Sequence, residues 1–169
     1  MQPILLILSV AASCALIACA NGDAQSARAP LRLHVSLAAS ADVNPDDQQR
    51  AAPIVVRLYE LKTDSAFNAA DFYSLHDKDK AVLTDELVAR DEFQLRPGER
   101  KVLLRRADPA ATVLGVLAAY RDLPNSVWRA TYALPAAPDA AWYRRAPQLN
   151  LSIEVDTHAV SVVPAVPSR

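Results

Sequence analysis

Hydrophobic and polar residues alternate strictly in two stretches of the chain, residues 31–37 and residues 149–156. In both stretches every odd-numbered residue is apolar and every even-numbered residue is polar. A two-residue period predicts a β-strand with one buried and one solvated face. Residues 54–61 and 112–120 are instead almost continuously apolar, which predicts strands buried on both faces. Gly115, within the last of these, indicates close packing against a neighbouring element.

Shorter apolar runs predict the remaining strands. Residues 93–95 and 101–105 are expected to form a pair joined by a turn at 96–99, and residues 127–132 a further strand. After His158 the apolar residues change from odd-numbered to even-numbered positions, Val160 and Val162. This change predicts a bulge or a strand that changes partner.

A helical pattern is confined to the segment between residues 64 and 90. Asp64 or Ser65 is predicted to begin a helix whose buried side chains are Phe67, Phe72 and Leu75. A second short helix is predicted over residues 80–90, because Leu83 and Leu87 have i, i+4 spacing. About seven strands with one helical insertion predict an all-β fold, a β-sandwich.

The N-terminal residues have the pattern of an export signal. Residues 4–18 carry no charge, and this run is too short to span a bilayer comfortably but typical of a signal-peptide core. It ends in Leu16-Ile17-Ala18-Cys19, a lipobox-like sequence that predicts cleavage before Cys19 and a diacylglycerol on its thiol. No Lys or Arg precedes the run, although a signal peptide normally begins with one. The alternative to a lipoprotein signal is an ordinary secretory signal. Cys14 is the rival site of lipidation, but it is not preceded by a large aliphatic residue such as Leu16.

These patterns divide the chain into four segments. We predict a signal peptide at 1–18, a lipidated cysteine and flexible tether at 19–30, a β-sandwich domain at 31–163 and a C-terminal tail at 164–169. Removal of the signal from 169 residues leaves 151, the size of one domain with one core.

Composition excludes several classes of protein. The formal net charge of -1 argues against nucleic-acid binding, which needs a basic surface. Both cysteines lie in the first 19 residues, so the mature chain is predicted to form neither a disulfide nor a cysteine-based zinc site. No catalytic motif is present, and we predict neither an enzyme nor a cofactor or metal.

Several charged residues are candidates for special roles. His34 and His158 are placed on the first and last strands, where they would be solvated or, if neighbours, could share a metal. Arg57 is expected to reach past the sheet edge or to pair with Glu60 or Asp122. Residues 75–80 are expected to form a solvated loop, and the pairs 105–106 and 144–145 are too few for a polybasic lipid-binding cluster.

The connection between the first two strands is unusually long. Residues 40–53 are rich in Asp, Gln and Pro, where a tight turn would have been sufficient. Such a loop is either a binding element or a tolerated surface insertion.

Four blocks of sequence, in order, resemble the type VI secretion lipoprotein family of TssJ, SciN and VasD. They are Val43-Asn44-Pro45 with residues 53–61, Phe67-x-x-Ala70-Asp71-Phe72-x-x-Leu75, Leu95-x-Pro97-Gly98, and residues 114–122 followed by Trp128-Arg129. The resemblance implies a transthyretin-like β-sandwich with a small helical insertion, lipid-anchored in the outer membrane and facing the periplasm.

The resemblance also implies a partner and a binding loop. Family members bind the periplasmic C-terminal domain of the inner-membrane protein TssM, in a complex with TssL, without a small-molecule substrate. Residues 40–52 correspond to the contact loop, although residues 49–53 lack the glycine and first proline common in the family. The contact residues implied are Ser40, Asp42, Val43, Asn44, Pro45, Asp46, Asp47, Gln48, Gln49 and Arg50.

One other function stays open from the residues alone. A lipoprotein could bind a small ligand or glycan through its sandwich, with Trp128, Trp142 and Tyr143 as an aromatic platform.

Overall fold

The computed structural model describes residues 31–136 and 147–165. The predicted signal peptide, Cys19, the tether, Trp142, Tyr143, the arginine pair 144–145 and residues 166–169 lie outside the described residues. The elements within them are β1 Arg32–Ala39, β2 Ile54–Leu61, α1 Ser65–Ala69, α2 Phe72–Leu83, β3 Leu87–Leu95, β4 Arg100–Arg106, β5 Val113–Ala118, β6 Arg129–Ala133, β7 Gln148–Val155 and β8 Val160–Pro164.

The strands form two four-stranded sheets. Sheet A has the order β4-β1-β7-β8, and sheet B has the order β3-β2-β5-β6. β1 pairs with β4 antiparallel and with β7 parallel, while the other pairs of named strands are antiparallel. The predicted all-β sandwich with a helical insertion is confirmed.

The main core lies between the two sheets. The odd-numbered residues of β1 and β7 face it, as their alternation predicts, and meet the buried side chains of Val56, Leu58 and Val116 from sheet B. This burial stabilises the domain at about 25 cal/mol per Å² of apolar surface removed from water.

A second core lies between sheet B and the helices. It contains Tyr59, Leu61, Phe67, Leu75, Leu83 and Leu117. β2 is therefore buried on both faces, which explains its unbroken apolar sequence. A Cβ atom at Gly115 would lie 3.2 Å from Leu61 Cδ1 and 3.3 Å from the Phe67 ring, so the predicted close approach at Gly115 is confirmed.

The helical segment differs from the prediction in two places. The chain forms α1 and α2 separately, since Ala70 has extended backbone and Asp71 caps α2 by accepting a hydrogen bond from Ser74 N (3.0 Å). The predicted helix over 80–90 is wrong, because α2 ends at Leu83 and Leu87 begins β3, opposite Leu61.

Two shorter predictions are also corrected. Residues 75–80 are not a solvated loop but part of α2, which is kinked at Lys78 and buries Asp79. The phase shift after His158 reflects neither a bulge nor a change of partner. Residues 156–159 reverse the chain, and β8 pairs antiparallel with β7.

The sandwich has two ends, which we name by what lies there. At the tether end Leu31 enters β1, with Ala107 N donating to Leu31 O (2.8 Å) and Arg32 N donating to Pro147 O (2.9 Å). At the loop end β1 gives way to residues 40–53. Eight residues of β1 separate the two ends by about 26 Å.

Neither a spanning helix nor a metal cluster occurs in the part of the chain that the structure describes. Within residues 31–136 and 147–165 no helix is long and apolar enough to cross a bilayer. The same ranges hold no group of three or more His, Cys, Asp or Glu side chains positioned to bind a metal.

Candidate functional site: the loop between the first two strands

The base of the 40–53 loop is fixed by burial. The Val43 side chain is fully buried in the main core, and Ala52 is buried beside it. Ala52 N donates a hydrogen bond to Val43 O (3.1 Å), which joins the two arms of the loop. The loop therefore leaves the sandwich from a closed base.

Asn44 ties this base to the neighbouring connections at the loop end. Its Nδ2 donates to Pro53 O (3.0 Å), its Oδ1 accepts from Arg121 N (2.8 Å), and its backbone N–H donates to Thr157 O (3.3 Å). The residue is 4% exposed and has φ 50°, a left-handed conformation that Asn tolerates better than most residues.

The tip of the loop is a compact turn held by Asp46 and Arg50. Asp46 Oδ1 accepts from Gln48 N (2.9 Å) and Arg50 N (3.0 Å), and Arg50 Nε donates to Asp46 Oδ2 (2.8 Å). The hydrogen bonds from Arg50 lower the pKa of Asp46 to about 2. Gln49 completes the turn with φ 62°.

Asp42 fastens the other side of the loop. Its Oδ2 accepts a hydrogen bond from Thr157 Oγ1 (2.6 Å), and this bond lowers the pKa of Asp42. Ser40 is half-buried, and its carbonyl oxygen accepts from Val43 N and Gly98 N. The loop is thus connected to each of the other turns at its end of the sandwich.

The ten implied contact residues differ in what they can reach. Val43 and Asn44 are buried, so their side chains support the loop from within and are not available to a partner. The exposed side chains are those of Asp42, Asp47, Gln48, Gln49 and Arg50, while Ser40, Pro45 and Asp46 are half-buried.

A cleft of about 260 Å³ lies beside the loop. Pro45, Asp46, Asp47 and Gln49 form one wall, and Arg121, Asp122 and His158 contribute the remainder. These last three residues are distant in sequence from the loop, so their place in the cleft could not be predicted from the loop sequence. Charges of both signs around a cleft suit the polar side chains of a protein partner.

His34 and His158 do not come together. His34 lies opposite Asn150 of β7, whereas His158 follows the end of β7 in the turn at the loop end. The alternative of a shared metal site is therefore wrong.

Arg57 has neither of its predicted partners. Its Nε donates to Glu92 Oε2 (2.7 Å), and its Nη1 donates to His76 O (2.6 Å) and lies 3.7 Å from Asp79 Oδ2. Arg57 projects toward the helices, the opposite face of β2 from Glu60.

Glu60 and Asp122 are occupied elsewhere. Glu60 Oε1 lies 2.7 Å from Arg105 Nη2 in an ion pair, and Asp122 accepts from Asn125 Nδ2 (3.0 Å).

Trp128 is held inside the structure rather than presented as a platform. Its ring packs edge-on against Phe72, with centroids 5.4 Å apart, and the Arg129 guanidinium lies 4.7 Å from the ring centroid. Arg129 Nη1 also donates to Phe67 O (3.1 Å) and Ala70 O (2.8 Å) at the end of α1.

Comparison with known proteins identifies the family. The model of the type VI secretion lipoprotein family, whose members include VasD, EvfM and TssJ, matches residues 31–158. The chain belongs to this family. The match includes the 40–53 loop, both sheets as far as the end of β7, and the helices. The family is one of secretion lipoproteins and not a known enzyme family.

Solved structures of type VI secretion lipoproteins have the same fold. TssJ1 from Pseudomonas aeruginosa is 37% identical, with a TM-score of 0.74, over 82% of this chain and 99% of that chain. Lip from Serratia marcescens, described as a membrane-bound component of the secretion system, is 31% identical, with a TM-score of 0.72, over 82% and 99%.

A third similar chain comes from a structure described as the T6SS protein TssM C-terminal domain from EAEC. It is 26% identical, with a TM-score of 0.60, over 79% of this chain and 98% of that chain. No curated protein sequence matches the chain significantly.

Proposed function

We propose that this chain is the outer-membrane lipoprotein of a type VI secretion membrane complex and has no enzymatic role. In this proposal the lipid on Cys19 anchors the domain, and the 40–53 loop binds the periplasmic C-terminal domain of TssM within a complex that includes TssL. Membership of the type VI secretion lipoprotein family supports the setting. The similar chain in a structure described as the TssM C-terminal domain supports the choice of partner.

The observation that carries the proposal is the placement of the loop. Leu31, the described residue nearest in sequence to Cys19, lies at one end of β1, and the loop begins at the other end. A domain held at its tether end thus directs the loop about 26 Å farther from the anchor. Two or three acyl chains on one cysteine are sufficient for stable anchoring.

The construction of the loop fits a role in binding. Its buried base and the Asp46–Arg50 turn fix the backbone, whereas Asp47, Gln48 and Gln49 remain exposed at the tip. A loop that is already ordered loses little conformational entropy when a partner binds, so more of its contact energy appears as affinity.

The test is a pair of charge-matched variants of the purified lipoprotein in detergent. Asp47→Arg combined with Gln48→Ala alters the exposed tip and spares the buried Asn44. Asp85→Arg makes the same charge change in the exposed 3₁₀ turn that follows α2. Binding to the soluble periplasmic domain of TssM is measured by calorimetry.

We expect the tip variant to weaken binding by about tenfold or more, as removal of contacts near the centre of an interface does. The Asp85 variant is expected to bind like the unaltered protein. If both variants bind the TssM domain with equal affinity, the interface does not include the tip of the loop.

A further inference from the structure

No described residue covers the outer face of sheet A, which is therefore called the open face, whereas the helices cover the outer face of sheet B. Alternate residues of β4, β1, β7 and β8 form this open face. On it Leu104 is 77% exposed and Val102 53% exposed, neighbours along β4. Large exposed apolar side chains on one regular surface indicate an interaction site.

The charges on this face are divided between its two ends. At the tether end the strand register sets Arg32 opposite Arg106, and His34 opposite Leu104. Among the described residues of that half of the face there is no carboxylate. Glu154 lies at the loop end of the face, opposite Ala38 of β1.

The two arginines are available to a ligand. No carboxylate among the described residues lies within ion-pair distance of Arg32 or Arg106. Arg105, by contrast, points inward and is paired with Glu60 and Asp91. Asp108 is the acidic residue nearest to Arg106 in sequence, and its Oδ1 accepts a hydrogen bond from Ala110 N (2.8 Å).

These side chains border a groove of about 430 Å³. Its lining includes Arg32, His34, Leu104, Arg106 and Gln148. Guanidinium groups beside an exposed leucine match the chemistry of a phospholipid surface, where phosphates lie directly above the acyl chains.

The groove also lies at the end of the domain that the anchor holds. Cys19 precedes Leu31 by twelve positions, and a chain of that length reaches at most about 40 Å. The loop end is about 26 Å farther along β1. The anchor therefore raises the effective concentration of lipid headgroups at this groove above that at the loop end of the domain.

We propose that the groove docks the domain on an anionic phospholipid surface. Arg32 and Arg106 contact lipid phosphates, and Leu104 enters the interfacial layer of the bilayer. The inference rests on the lipid anchor proposed above. It adds a second contact with the same membrane, which fixes the direction in which the loop end points.

The test follows the environment of Leu104 in the lipoprotein carrying its anchor. With the Cys19 thiol acylated, Leu104→Cys supplies one thiol for an environment-sensitive fluorophore. The labelled protein is reconstituted in vesicles of phosphatidylethanolamine, with or without about a third of phosphatidylglycerol. The same label at Tyr73→Cys, which is exposed on α2 at the opposite face, is the control.

We expect a blue shift and protection from aqueous iodide for Leu104→Cys in the anionic vesicles, and neither for Tyr73→Cys. Loss of each arginine should lower the ratio of docked to undocked protein roughly fivefold. The variant Arg32→Ser/Arg106→Ser should therefore lose most of the shift. The variant Arg100→Ser should retain the shift, because Arg100 lies at the loop end of β4, the strand that contains Arg106.

Several results would overturn the inference. If the protein floats with its vesicles but the label shows no shift, the docking is refuted and the anchor is not. If the protein fails to float, both the anchor and the docking are refuted. A shift that depends on the ratio of protein to lipid would assign the face to a second copy of this chain. A shift that requires the TssM domain would assign it to that partner.

Discussion

Asn44 determines the shape of the loop end. Its side chain makes a hydrogen bond to each of two segments, with Pro53 on the far arm of the loop and with Arg121 after β5. Asn44 itself is buried and both bonds are partly buried, and the left-handed backbone at this position disfavours most other residues. Asn44 thus joins the two arms of the loop to the body of the sandwich.

Asn44→Ala is expected to lower the free energy of unfolding by about 2–4 kcal/mol. The change removes two partly buried hydrogen bonds, leaves the Arg121 N–H without its side-chain acceptor and adds a left-handed penalty. Gln49→Ala is the control, because Gln49 is exposed, makes no such bonds and has a left-handed backbone that disfavours glutamine and alanine alike; a change near zero is expected there. Chemical denaturation measures both, and equal losses would show that the bonds of Asn44 do not stabilise the protein.

At the scale of elements, two arginines of sheet B fasten the helices. Arg129 of β6 binds carbonyl oxygens at the end of α1, and Arg57 of β2 binds those of Leu75 and His76, just before the kink in α2. Cations stabilise the negative ends of helices. Beside Arg57, Tyr59 donates to Asp79 (3.2 Å), and burial raises the pKa of Tyr59 to about 12.

Arg57→Met is expected to destabilise the protein by about 3–5 kcal/mol, because it removes the donor to two carbonyl oxygens of α2 and leaves Asp79 buried beside one cation instead of two. Hydrogen exchange in α2 should accelerate along with this loss. Arg90→Met is the matched control: Arg90 lies 3.2 Å from Asp79 and also contacts Glu92, but it is more exposed and lacks the bonds that Arg57 makes to the carbonyl oxygens of α2, so about 1 kcal/mol is expected. Asp79→Asn added to Arg57→Met should restore part of the loss, and no restoration would contradict the role of the buried charge.

Local pattern was sufficient to predict most strands, because their residues alternate or are β-branched throughout. It failed over residues 80–90, because Leu83 and Leu87 have the spacing of one helix face although Leu83 ends α2 and Leu87 begins β3. Farther along β3, the edge strand of sheet B, Asp91 and Glu92 pair with Arg105 and Arg57 on other strands. Such pairing is not encoded at any fixed spacing, so neither the ion pairs nor the cleft beside the loop could be predicted.

At the scale of the whole molecule, the proposed function puts attachment and recognition at opposite ends of one sandwich. The described residues of the two cores include Leu31 and Val43 at the two ends, but none from the exposed tip of the loop at 46–50. The domain should therefore fold independently of the lipid and of the exposed tip of the loop.

Cys19→Ser is expected to release the domain from membranes without changing its stability. Serine lacks the thiol to which the proposal attaches the diacylglycerol, and Cys19 precedes in sequence the described core residues, which begin at Leu31. Membrane fractionation and thermal unfolding of the released protein measure the two effects. Cys14→Ser is the control and should leave the protein in the membrane fraction; continued membrane association of the Cys19 variant would refute the anchor.

The central position of β1 has a mechanical consequence. A pull between Leu31 and the 40–53 loop runs along the axis of β1, which is hydrogen-bonded to β4 on one side and to β7 on the other. Force applied along a strand loads these hydrogen bonds together, in shear, whereas force across an edge strand would break them one after another. The sandwich is thus oriented to resist tension along the line that joins its two ends.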